Sequence, residues 1–202
     1  MRQFVLWIAI LWTAICWSIG LLFSLYLFLG WDINYHSSPY VELSRSLVFG
    51  LVSGGMGGLG IAVGLISIVS TQYWRSFLVV PIIWAIALVA GALVSLSWYD
   101  YTSPEILFAT GAIAGVIGGL LMGLILKWFK PSLKGTQVLR VIIAWAICLP
   151  LSLTLFHDSV LLILTNIVGG LLTYILTTVV SGLLIATIGG GVTFWQLIAN
   201  GK

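Results

Sequence analysis

Six apolar runs follow one another along the chain, each long enough to cross a bilayer core of about 30 Å as a helix, with short charged connections between them. In hydrocarbon no water pairs a free peptide N–H or C=O, so such a run must satisfy its own backbone, as a helix does. The sequence therefore predicts an all-α integral membrane protein with six transmembrane helices, at about 4–29, 44–70, 76–98, 106–128, 138–156 and 160–188. Composition points the same way. Of the 202 residues, 61% are hydrophobic and 6% charged, with a mean hydropathy of +1.20, where soluble domains carry roughly 25% charged residues. One membrane domain, residues 1–202, accommodates all six spans, and the lipid bilayer is its first partner. The net charge of +3 is small and scattered, which argues against nucleic acid.

The first run begins beside Arg2 and continues to about Phe28, beyond the roughly 7–15 apolar residues of a signal-peptide core, so it is expected to stay as a span. Cys16 follows Thr13-Ala14-Ile15, where a lipoprotein site would want a small residue in place of Ile15. Cys16 and Cys148, each near the middle of an apolar run, are read as small core residues without a disulfide.

Charge sets the orientation. Arg2, Arg75, Lys127, Lys130, Lys134, Arg140 and Lys202 fall at the N-terminus, the even-numbered connections and the C-terminus, whereas Asp32, Glu42, Asp100, Glu105 and Asp158 fall in or beside the odd ones. Cytoplasmic connections are enriched in Lys and Arg, so both termini are expected in the cytoplasm. Arg45 alone dissents, just inside the second helix.

Within the apolar runs, glycine recurs every four residues: Gly111, Gly115, Gly119 and Gly123 on the fourth helix, and Gly50, Gly54 and Gly58, between Ser46 and Ala62, on the second. Small residues at this spacing make a flat helix face that lets two backbones approach. A degenerate third strip is Gly169, Thr173, Thr177 and Ser181. Gly50 to Gly111 is a shift of 61 residues, and so is Trp84 in Ile-Ile-Trp-Ala-Ile to Trp145 in Ile-Ala-Trp-Ala-Ile. The pattern predicts three parallel two-helix hairpin repeats, about 4–70, 76–128 and 138–188, related by an axis along the membrane normal. In each, a Trp-bearing helix goes out and a Gly-zipper helix returns, with Trp12 as the expected member of the first hairpin and the glycine-lined helices around the centre. The sixth run is too long for one straight span, so a bend is expected at Gly169-Gly170 and an end at Gly189-Gly190-Gly191, leaving 189–202 as a tail in the interface.

Polar residues inside a membrane are costly and are candidate sites. Asn166, Thr173, Thr177 and Ser181 share one helical face and would form a wall of a substrate path or hydrogen-bond a neighbouring helix. Glu42 and Arg45, three residues apart, would pair at the outer end of the second helix or receive a zwitterionic or anionic ligand there. His36, His157, Asp32, Asp100 and Asp158 share the outer side but show no metal-ligand spacing, so no metal is expected. Ser53 has no histidine in any span to act as its base, and no Walker sequence or membrane-buried carboxylate pair occurs. No enzyme activity and no cofactor are expected. The reading that follows is an accessory or assembly subunit of a membrane complex, using its small-residue helix-packing faces against a partner subunit or a second copy. The alternative is a small permease or channel for a neutral or apolar solute, with Asn166, Thr173 and Thr177 beside its path.

Overall fold

A computed structural model describes residues 2–32, 39–68, 74–95 and 104–199, with side chains at 3–27, 44–68, 74–93, 104–157 and 160–199. The described residues are helical apart from short turns. In chain order the helices are α1 (Arg2–Asp32), α2 (Pro39–Ile68), α3 (Ser76–Ser95), α4 (Pro104–Phe129), α5 (Gly135–Thr154), α6 (Asp158–Val168) and α7 (Gly170–Leu184), then a π-helical turn (Ile185–Gly190) and α8 (Gly191–Ile198). Six segments are long and apolar enough to cross a membrane: Gln3–Leu27, Ser44–Ile68, Ser76–Leu93, Pro104–Phe129, Gly135–Thr154 and Gly170–Ile198.

The first five spans fall where the apolar runs predict. The sixth does not. It begins at Gly170, about ten residues later than expected for a run that must fill the bilayer core, because the preceding apolar residues form a separate helix, α6. Gly169 ends that helix with φ 90°, a left-handed conformation that side chains disfavour, so the bend expected at Gly169-Gly170 is a break. At the other end, Gly189-Gly190-Gly191 does not stop the helix. The backbone passes through the π turn and continues as α8, where Thr193, Phe194, Gln196 and Leu197 are buried. The stretch expected to lie as an interfacial tail therefore completes the sixth span as far as Ile198. Three glycines read as a stop by local propensity, and packing overrides it: Gly189 lies against the Trp145 ring and Gly190 beside Thr13 and Phe194.

The helices form a closed ring. Each of α1 to α4 packs against its successor, and the sixth span, α7 through α8, packs against both α1 and α5. The core runs along the axis of this ring. At mid-height Trp17, Trp84 and Trp145, all fully buried, meet, and toward the end that bears the basic connections Ile61, Leu65, Val80, Met122, Leu126, Val141 and Phe194 continue the apolar packing. At that end Lys130 Nζ donates to the Leu197 carbonyl at 3.0 Å. A cation there satisfies an open carbonyl at a helix C-terminus, where the macrodipole favours positive charge.

Candidate functional site

The structure brings together three indoles, one from each of α1, α3 and α5. Trp84 and Trp145 have ring centroids 4.1 Å apart, Trp17 and Trp84 meet edge to face at 5.8 Å, and Trp17 and Trp145 lie 6.4 Å apart. Such edge-on and tilted pairs suit the ring quadrupole. Each ring rests on a glycine of the next span: Trp17 on Gly57, Trp84 on Gly118 and Trp145 on Gly189. A side chain at any of these glycines would occupy the volume of the ring. Trp12, expected in this role, is instead 48% exposed. α1 carries Trp7, Trp12 and Trp17 at five-residue spacing, which places them on different faces, and composition alone does not choose among them.

The three indole N–H groups differ. Trp145 Nε1 donates to Thr193 Oγ1 at 3.0 Å, and Thr193 donates in turn to the Gly189 carbonyl at 2.7 Å. Trp17 Nε1 and Trp84 Nε1 are buried without a hydrogen-bond partner. The centre is therefore closed to solvent and carries donors only, on a platform without an ionisable side chain among the described residues that form it.

The glycine strips face other helices of the same chain. A Cβ at Gly50 would meet the Val89 backbone at 2.6 Å, at Gly58 Pro81 Cα at 2.5 Å, and at Gly54 the Trp84 carbonyl, so this strip lies on α3. Gly111 likewise lies on Pro150, Gly115 on the Trp145 carbonyl, Gly119 on Ile142 and Gly123 on Val138, so the second strip lies on α5. A further set, Gly57, Gly60 and Gly64, faces Trp17, Thr13, Cys16 and Phe194 on α1 and α8. The four-residue rule misses this last set because its spacing is three and four.

The polar face expected along the sixth run is divided. Thr173, Thr177 and Ser181 are buried on α7, whereas Asn166 is exposed on α6, beyond the break at Gly169. Thr173 donates to the Gly169 carbonyl at 2.9 Å. Ser181 and Ser152 bond reciprocally across α7 and α5, each hydroxyl donating to the other's carbonyl at 3.2 and 3.5 Å, and Ser152 also reaches the Cys148 carbonyl at 2.7 Å. On the α1–α2 seam Ser24 and Ser53 share a hydroxyl hydrogen bond of 2.8 Å. The hydroxyls of Thr177 and Thr110 are buried without a partner.

Arg45 is 6% exposed, the buried cation of the described side chains. Glu42 lies on α2, but its side chain is outside the described residues, as are those of Asp32, His36, Asp100 and Asp158. His157 is half-buried in the turn between α5 and α6, where its backbone N–H donates to the Thr154 carbonyl at 3.2 Å. Among the described residues no three His, Cys, Asp or Glu side chains come together as metal ligands. Comparison of the chain with protein-family models, with curated proteins and with solved structures finds no match.

Proposed function

We propose that this is a non-enzymatic, multi-pass membrane protein that serves as an accessory or assembly subunit of a membrane complex. The observation that carries this reading is the closed centre: three indoles fill the axis of the ring, and the hydroxyls of Ser152, Ser181 and Thr193 are spent on neighbours inside the chain. Proton- or ion-coupled carriers usually need ionisable groups near the midplane. The glycine strips are taken up by α3 and α5, so the partner would be met by an outward face. The outward surface of α1 carries more exposed rings than that of any other described helix, with Phe4, Trp7, Trp12, Phe23 and Tyr26 all exposed, and aromatic side chains are enriched where partners bind. Both termini are assigned to the cytoplasm on the charge of the connections.

The same reading takes the chain as three parallel hairpin repeats with Gly-zipper second helices. Its support is the pairing of Trp17 with Gly57, Trp84 with Gly118 and Trp145 with Gly189, one pair for each hairpin. A small permease or channel for a neutral solute is the second reading, favoured by the buried, partnerless hydroxyls of Thr110 and Thr177.

Native mass spectrometry of the protein, extracted gently from its own membrane, separates the two. A stoichiometric foreign subunit that Trp7→Ala/Trp12→Ala releases while the bundle stays folded supports the accessory reading. A monomer or symmetric oligomer holding a discrete non-lipid molecule, lost in Thr177→Val, moves the assignment to transport.

A further inference from the structure

We propose that α6 is a membrane-surface helix, lying in the headgroup layer at the end of the bundle opposite the basic connections, with Ile163 and Ile167 in the acyl chains and Asn166 in water. The helix has 11 residues. At 1.5 Å per residue that is about 16 Å, roughly half of what a span needs. The break at Gly169, with φ 90°, frees its direction from that of α7. Leu161, Leu164 and Val168, spaced by three and four residues, form the half-buried strip, and α6 packs on α7. Next to that strip stand Ile163 and Ile167, one turn apart and 60% and 72% exposed. Thr165 and Asn166 are exposed on the other side, with Leu162 between them.

An apolar strip, an adjoining packed strip and a polar strip are the pattern of a helix that lies in the interface plane, apolar side down. What covers the apolar strip follows from its continuation. Leu171, Leu172 and Ile175 at the start of α7 are exposed on a segment long and apolar enough to cross the membrane. The solvent of such a face is lipid, and Ile163 and Ile167 are the exposed apolar residues next to it in sequence across the break at Gly169.

The test uses the full chain in vesicles of phosphatidylethanolamine and phosphatidylglycerol, in a Cys16→Ala/Cys148→Ala background, with an environment-sensitive fluorophore on Ile163→Cys, Ile167→Cys or Asn166→Cys. The expected result is quenching at 163 and 167 by lipids spin-labelled near the headgroup, about threefold stronger than by lipids labelled at the bilayer centre, and quenching at 166 by aqueous iodide. Equal iodide quenching at all three positions overturns the proposal, as does strongest quenching of 163 from the bilayer centre. Shielding of 163 and 167 from both water and lipid overturns it too, and is the outcome if a protein partner covers this face. The unaltered chain supplies a second measurement: a carbene photoactivated on a lipid tail should modify Ile163 and Ile167 and leave Asn166 unmodified, and the reverse distribution counts against a lipid contact.

Discussion

The seams α2–α3 and α4–α5 are closed backbone to backbone, whereas the seam by which the sixth span reaches α5 is closed by side-chain hydrogen bonds. On the first two, Gly54 and Gly115 sit on the carbonyls of Trp84 and Trp145, and no side chain separates the helices. On the third, Ser152 and Ser181 exchange hydrogen bonds and Trp145 reaches Thr193. The difference follows the sequence, since the third strip has Thr and Ser where the other two have glycine. In lipid both devices work, because dispersion contacts at close approach and hydrogen bonds between helices are the two attractions available there. They differ in tolerance. Backbone contact leaves no room for a methyl group, while a hydrogen-bonded pair survives truncation to alanine.

That contrast can be broken from the glycine side first. Gly115→Leu should leave no folded protein recoverable in mild detergent by size-exclusion chromatography, since four added carbons must enter the Trp145 carbonyl. Gly115→Ala should cost about 3 kcal/mol, at the upper end for overpacking, read from unfolding in mixed micelles with a denaturing detergent. Gly55, on the same helix as the first strip, has open space around it. Gly55→Ala should raise stability by about 1 kcal/mol through helix propensity alone, and a loss equal to that of Gly115→Ala would remove the distinction between strip and non-strip glycines. On the hydrogen-bonded seam, Ser152→Ala and Ser181→Ala should each cost about 0.6 kcal/mol, the usual size for such bonds in membrane proteins, and the two losses should add, because each removes one hydroxyl and leaves both backbone carbonyls in place. A single loss as large as the Gly115→Ala effect would make the two seams equivalent. Lys130→Met, which withdraws the cation from the Leu197 carbonyl, should cost about 0.5 kcal/mol and less at high salt.

Much of the architecture is legible in the residues. The apolar runs place five spans to within a few residues, and the glycines at four-residue spacing on α2 and α4 lie on one close-contact face of each helix, while Gly57, Gly60, Gly64 and Gly118 form contacts the spacing does not mark. The spacing does not say what that face meets. A small face is equally suited to a helix of the same chain or of another, and only the geometry puts α3 and α5 there. The sixth span is misplaced by the sequence because α6 is as apolar as a span, so hydropathy joins it to α7, and because the π turn carries the helix past three glycines that read as its end. At the candidate site, Trp84 and Trp145 are visible through their shared Ile-x-Trp-Ala-Ile surroundings. Trp17 has no such surroundings. It is chosen over Trp12 by the bare patch that Gly57 presents to it, a match between distant positions that no window along the chain contains.

The closure of the ring has a consequence for how the protein is made. Along the ring α1 packs between α2 and the sixth span, and the second is synthesised after every other span. Until then one flank of α1, including Ala14 and Ser18 where Gly182 will seat, faces whatever surrounds the nascent chain, and Trp145 waits for both Gly189 and Thr193. The indole centre is therefore complete only once the sixth span arrives, since Gly189 and Thr193 are the last of its parts to be made.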